Sequence, residues 1–290
     1  MQRGSLTFFC DKEVVNALKS VEKKSGPLGG RPSFPDQLII LLLLMKIAHK
    51  LTYRSCEGMA RSIFSSYGIA TPSYVTICRG VRRLVKFLPR LSKRRPRIVL
   101  IDSSGFKVYG EGEWKTKVHG KSYRRKWMKV YLLVDCKTNE IIDVITDLPS
   151  KGDITGGLEF LEKLPSSVKT ILADGAYDGM RFRKKAYLAD VEAVIPPPPI
   201  DAKISEDHSL RERNEAIKII AALGGDKLVR KLWAKLLGYN HRVKVESAFS
   251  RLKRLFGESL FSRNIIAKKV EVWLKALINN IWINWSGGVL

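Results

Sequence analysis

The chain has 290 residues, 45% of them apolar, and its 52 Lys and Arg outnumber 28 Asp and Glu to give a formal net charge of +24 at pH 7. That content suffices for one or two domains with a sizeable core and excludes wholesale disorder. An enzyme of small neutral metabolites gains nothing from a field that strains its own compact state, so the charge points to a polyanionic partner.

The opening stretch MQRGSLTFFCDKE has neither the apolar core nor the cleavage site of a secretory leader. The most apolar run, Leu38 to Met45, stops far short of the roughly 20 residues that span a bilayer. No membrane association is expected, and the expected location is the cytoplasm. Cys10, Cys56, Cys78 and Cys136 lie far apart without a CxxC pair, so neither a disulfide framework nor a zinc knuckle is expected.

From Met1 to about Arg95 the pattern is helical, with apolar segments at Leu38 to Ile47, Tyr53 to Phe64 and Tyr74 to Leu88 separated by Gly- and Pro-containing breakers. Thr71 and Pro72 supply a hydroxyl cap and a first-turn proline, which predicts a helix start there. In the helix that follows, Arg79, Arg82, Arg83 and Lys86 fall at i, i+3, i+4 and i+7 and share one face. A preceding helix from about Thr52 to Phe64 and a turn at Gly68 complete the outline of a helix-turn-helix, whose second helix would enter a DNA major groove. A solvated basic face gives the same pattern. Leu88 to Pro96, short, basic and Pro-bounded, reads as a linker between a helical domain, 1–95, and a second domain, 96–290.

Beyond it the periodicity changes. Arg97 to Asp102 is a continuous apolar run into an acid, as expected of a strand buried on both faces. Lys129 to Asp135 and Glu140 to Thr146 read as a hairpin, Gly156 to Leu164 as a short helix, and Val168 to Asp174 as a second apolar strand ending in aspartate. A helix from Met180 to Ala189 and a strand from Val191 to Ile195, stopped by prolines, follow. These elements imply a mixed α/β sheet. Ser209 to Phe261 is basic and helical, and in Val270 to Trp285 the tryptophans Trp273, Trp282 and Trp285 have the spacing of core packing.

Three acids stand out. Asp102 and Asp174 each close an apolar strand before small residues, which places both carboxylates where active sites of α/β sheets gather. A single aspartate there is an ordinary turn starter, but two in the same setting are not so easily explained. Glu246 lies in GYNHRVKVESAFSRLKRLFG (Gly238 to Gly257), and on a regular helix Tyr239, Arg242, Glu246 and Lys253 share one narrow strip. Asp135, Asp143, Asp147 and Asp153 read as turn and surface residues. Three carboxylates in so basic a chain ask for cations, and an all-oxygen set suits two Mg²⁺ or Mn²⁺ ions of the kind that serve in-line phosphoryl displacement. The four histidines, His49, His119, His208 and His241, are scattered, and neither a P-loop nor a GxSxG motif occurs.

The spacing Tyr239-x2-Arg242-x3-Glu246-x6-Lys253 resembles the signature of DDE transposases of the insertion-sequence 4 and 5 type. The segments GRPSFPDQ from Gly30, DSSGFKVYGEGEWK from Asp102, LADGAYD from Leu172 and ERN from Glu212 are similar to the insertion-sequence 5 family. The resemblance implies an RNase H-like catalytic domain preceded by a small all-helical DNA-binding domain. It further implies that Asp102, Asp174 and Glu246 hold two divalent ions while Tyr239, Arg242 and Lys253 contact DNA near the scissile phosphate. The implied activity is cleavage at terminal inverted repeats and joining of the freed 3′-OH ends to target DNA, by a homodimer on double-stranded DNA. The short separation of Asp174 and Glu246 leaves little room for the large β-insertion that some members of such families carry between these acids. Lys115, Lys117, Lys121, Arg124, Arg125 and Lys126, with Trp114 and Trp127, read either as DNA contacts or as a solvated loop. A structure-selective nuclease and a DNA-binding protein derived from a transposase are the alternatives.

Overall fold

The computed structural model describes residues 12–20, 34–108, 127–147, 150–197 and 203–285. They fall into two compact units, one of Met1–Pro89 with Leu260–Trp282 and the other of Arg90–Ser259 with Ile283–Leu290.

The first unit contains α1 (Lys12–Ser20), α2 (Asp36–Ala48), α3 (Tyr53–Phe64) and α4 (Tyr74–Leu84), together with most of a C-terminal helix, Ile265–Trp285. Helix α2 is apolar nearly all round and is correspondingly buried, with Leu42 and Met45 fully enclosed. Thr52 caps α3 by accepting from Ser55 N at 3.1 Å. The cap of α4 is Ser73, which accepts from Thr76 N at 3.3 Å, not the expected Thr71; Pro72 precedes the helix and only orients the chain into it. A methyl at Gly80 would stand 2.7 Å from Ile39 Cγ2, so the glycine lets α4 lie against α2. The segment Leu260–Trp282 was expected in the second domain. It belongs instead with these helices, because Val270 and Leu274 line the same small cavity as Leu43, Ile47 and Val81. Within it buried Glu271 accepts from Phe261 N at 3.1 Å and Ser262 N at 2.9 Å and pairs with buried Lys275 at 3.2 Å.

The second unit holds β1 (Ile98–Val108), β2 (Trp127–Asp135), β3 (Ile141–Asp147), α5 (Asp153–Glu162), β4 (Thr170–Leu172), α6 (Met180–Leu188), β5 (Glu192–Val194), α7 (Arg211–Ala222), α8 (Lys227–Leu236) and α9 (Val243–Phe256). The sheet runs β3-β2-β1-β4-β5, antiparallel among β1, β2 and β3 and parallel from β1 through β4 to β5. A three-stranded meander extended by two parallel strands, with helices on both faces, is the RNase H-like arrangement. Along β1, Val99 and Ile101 join the core beneath Phe160 of α5 and Phe182 of α6. The alternate residues Asp102 and Ser104 face α9, whose Val245, Ala248 and Leu252 are buried. Gly156 lets α5 press onto the sheet, where an added methyl would lie 2.5 Å from the Tyr131 ring, and Gly157 lets it press onto α6, where one would lie 2.7 Å from Phe182.

The expected linker Leu88 to Pro96 is not a free tether. Within this unit Leu91 N donates to Ile142 O at 3.1 Å, and Ser92 Oγ and Arg94 Nε reach buried Glu140 at 2.6 and 2.7 Å. Unpaired, that carboxylate would be costly to bury, so it fixes the incoming chain to the hairpin. Among the described residues no helix is long and apolar enough to cross a membrane.

Candidate active site

Asp102 does not end its strand. β1 continues to Val108 because β2 pairs with it as far as Lys107, while β4 stops pairing at Leu100. The carboxylate therefore projects where the parallel neighbour has ended. Asp174 follows β4 by two residues and caps the short turn Gly175–Tyr177, accepting from Ala176 N at 2.9 Å. Two neighbouring strands thus deliver two acids to one end of the sheet.

The third acid arrives on α9. Tyr239 and Arg242 were expected on one continuous helix with Glu246, but Tyr239–Arg242 form a separate 3-10 turn and α9 begins at Val243. Gly238, with a φ of 67°, closes α8 just before this turn, its N–H donating to Lys235 O at 3.2 Å, and the turn runs directly into α9 through Arg242 and Val243 in right-handed helical conformation. Even so, Arg242 reaches Glu246 one turn on, and it donates through Nη1 to Asp102 Oδ2 at 3.2 Å. Lys253, two turns along α9, donates to Ser104 Oγ at 2.8 Å and sits 5.7 Å above the Phe106 ring. The Tyr239 ring lies 6.0 Å from that of Trp233, which anchors it to α8.

These placements leave an electrostatic signature. Burial pushes the pKa of Asp102 up, the Ser103 N–H and Arg242 oppose the rise, and the charges of Asp174 and Glu246 add to it. Burial first, and then Asp174, Asp102 and Glu246 against the opposing Arg242, raise the Tyr239 phenol to about 12. Burial disfavours the charge on Arg242, yet Tyr239, Asp102, Glu246 and Asp174 together drive its pKa up. Asp102, Asp174, Glu246, Tyr239 and Arg242 therefore act on one another as a single cluster.

The carboxylates form the all-oxygen donor set that suits a hard divalent cation. As placed, Arg242 supplies positive charge to two of them, and among the described residues no three His, Cys, Asp or Glu stand close enough to hold one ion. The oxygen donors suit such an ion in kind, although as placed they do not converge on one position.

Asp153, expected as a surface residue, is instead tied to the site. It accepts from Ser103 Oγ, beside Asp102, and pairs with Lys129 Nζ at 2.9 Å. Ser104, Ser250 and Arg254 line the groove next to Asp102 and Glu246 and were not singled out in the sequence, although Ser250 and Arg254 follow Glu246 at helical spacing. In the first unit Arg79, Arg82 and Lys86 are exposed on or just beyond α4, whereas Arg83 is committed to Asp36 Oδ1 at 2.7 Å and Phe34 O at 3.2 Å. The basic stretch Lys115, Lys117, Lys121 and Arg124 to Lys126 lies outside the described residues, as does Trp114; Trp127 begins β2.

Two family models described as a transposase DDE domain match the chain, one over residues 93–281 and the other over residues 1–111. Among solved structures, the piggyBac transposase synaptic complex with hairpin DNA is similar at 12% identity, over 98% of this chain and 74% of that one, with a TM-score of 0.43. The Drosophila P element transposase strand transfer complex is similar at 13% identity, over 94% of this chain and 71% of that one, with a TM-score of 0.34. Carrying its acids on the same stretch that the longer match spans, the chain belongs to the transposase DDE domain family.

Proposed function

We propose that the chain is the transposase of an insertion sequence of the insertion-sequence 5 family, which binds the terminal inverted repeats of its element, cuts the DNA there and joins the freed 3′-OH ends to target DNA. The observation that carries this reading is the contact of Arg242 with both Asp102 and Glu246, in a cluster that Asp174 and Tyr239 share.

Asp102, Asp174 and Glu246 are the residues that would hold two Mg²⁺ or Mn²⁺ ions. When bound, such ions activate an attacking oxygen and offset charge on the leaving one. Tyr239, with its phenol pushed up to about 12, keeps its proton at neutral pH and can donate it in a hydrogen bond to a phosphate oxygen. Lys253 is held by Ser104 at the groove, where its ammonium meets the backbone of the DNA as a point charge. Arg242 offers a planar pair of donors suited to a phosphodiester once it leaves the acids. Asp153 positions the site by fixing Ser103 next to Asp102.

Arg79, Arg82 and Lys86 are the candidate contacts of the helix-turn-helix with the inverted repeats; Arg83, tied to Asp36, contributes by orienting α4 on α2. Two copies would hold two element ends. The setting that fits is a prokaryotic cytoplasm, with the protein on the nucleoid when bound. Binding through so positive a chain falls steeply with salt.

The test uses purified protein, Mg²⁺ and a labelled duplex of the terminal repeat read from the DNA bordering the gene. Cutting at the repeat end and joining to a second duplex are expected. Asp102→Asn abolishes both while still retaining the duplex. Cutting indifferent to the end sequence would identify a structure-selective nuclease, and retention of the duplex without any cutting would identify a DNA-binding derivative.

A further inference from the structure

An open groove of about 530 Å³ leads away from Asp102 and Glu246, lined by Ser104, Phe249, Ser250, Lys253, Arg254 and Glu258. Buried Phe249 supplies an apolar floor, and hydroxyls and cations supply the walls. Along α9 the exposed residues Glu246, Ser250 and Arg254 follow at i, i+4 and i+8, so they form one row down the groove.

The charges in this groove are unequally engaged. Lys253 is held by Ser104 Oγ, and Glu258 pairs with Lys107 Nζ at 3.3 Å. No carboxylate pairs with Arg254 among the described residues. Its charge instead bears on half-buried Arg251, whose pKa is lowered first by burial and then by Arg254. Arg254, exposed at the groove wall with no carboxylate partner among the described residues, is placed to take an anion in the groove. Eight residues of helix from Glu246 to Arg254 cover about 12 Å. A DNA strand advances about 3.4 Å per nucleotide along the duplex axis and farther along its own winding backbone, so this span corresponds to about two to four nucleotides.

We propose that this groove carries the substrate strand away from the reacting phosphodiester, with Ser250 along its path and Arg254 gripping a phosphate about two to four nucleotides from it. The inference rests on the proposed function, because it takes the three acids as the reacting centre.

The experiment replaces one phosphate at a time by a neutral methylphosphonate, moving outward from the cleavage site of the terminal-repeat duplex, and measures binding by fluorescence anisotropy without divalent ions. Wild-type protein is expected to lose affinity by roughly five- to tenfold at one position about two to four nucleotides out. Arg254→Gln is expected to bind the unmodified duplex correspondingly more weakly. It should lose nothing further at that position, while keeping the wild-type losses elsewhere. Circular dichroism confirms that the variant, altered at an exposed side chain, is folded. Equal losses for both proteins at every position, or unchanged affinity of Arg254→Gln for the unmodified duplex, would overturn the inference while leaving the proposed function standing. Failure of wild-type protein to hold the terminal duplex would overturn the proposed function and this inference with it.

Discussion

Arg242 and Asp102, far apart in sequence, meet with Nη1 3.2 Å from Oδ2, and the same guanidinium also holds Glu246. Positive charge is thus already provided to two acids that the proposed chemistry assigns to divalent ions. Arg242 and an incoming ion then compete for the same oxygens. Arg242→Ala is expected to bind Mn²⁺ roughly tenfold more tightly than wild type in the absence of DNA, the equivalent of about 1.4 kcal/mol of charge repulsion removed. Cleavage by that variant should fall, since the phosphate loses its planar donor. Isothermal titration with Mn²⁺ checks the first expectation separately from activity; an unchanged or weaker affinity would show that no competition exists.

Tyr239 separates two contributions that a single truncation would confound. Its ring packs on Trp233, and its phenol keeps its proton to about pH 12. Tyr239→Phe retains the packing and removes only the donor, so kcat/KM for end cleavage should fall about tenfold, the worth of one hydrogen bond to a charged group. Tyr239→Ala also releases the turn that carries Arg242 and should cost considerably more. Equal effects of the two substitutions would assign the residue a packing role alone.

The glycines of α5 and α3 predict opposite outcomes for the same substitution. At Gly156 a methyl would stand 2.5 Å from the ring of Tyr131, which is fully buried and cannot swing away. Gly156→Ala is therefore expected to destabilise by about 1–3 kcal/mol through overpacking. Gly58, inside α3, has nothing within 4 Å of the added methyl. There alanine is expected to stabilise by about 0.5–1 kcal/mol, by removing backbone freedom from the unfolded chain. Urea unfolding of the two variants reads both signs.

Much of this architecture was legible because buried strands and amphipathic helices leave local patterns. The hairpin, β4, α6 and β5 all lie within a few residues of their expected places. What local pattern missed depends on partners distant in the chain. The polar second half of β1, Ser103 to Val108, reads as a turn, and it stays extended because β2 pairs along it and Lys107 N donates to Glu258 O at 2.8 Å on its other side. Asp153 reads as a surface residue until Ser103 is seen to reach it across the fold. Spacing alone indicated that Arg242 and Glu246 would meet, but a constant helical period does not report that Tyr239–Arg242 wind as a 3-10 turn ahead of α9. Leu260–Trp282 shows its apolar face in sequence but not which unit that face covers.

Asp143 carries a pH dependence independent of the active site. It lies half-buried on β3, and burial pushes its pKa up; the Val144 N–H, Lys163 and Arg90 oppose the rise, and Glu159 adds to it. Because the folded pKa exceeds the unfolded one, the native state binds the proton more tightly. Stability therefore falls as pH rises from the ordinary carboxylate range through the folded value, and the full penalty is present at neutral pH. Asp143→Asn removes the ionisation while keeping an oxygen that can accept from Val144 N. Its Tm should exceed that of wild type by roughly 2 °C at about pH 7. The advantage should fade as pH falls through the folded value and be gone below about pH 3, where wild-type Asp143 is protonated in both states. Differential scanning calorimetry across that interval checks the sign. A variant less stable than wild type at neutral pH would mean that the attraction of Lys163 and Arg90 outweighs the cost of burial.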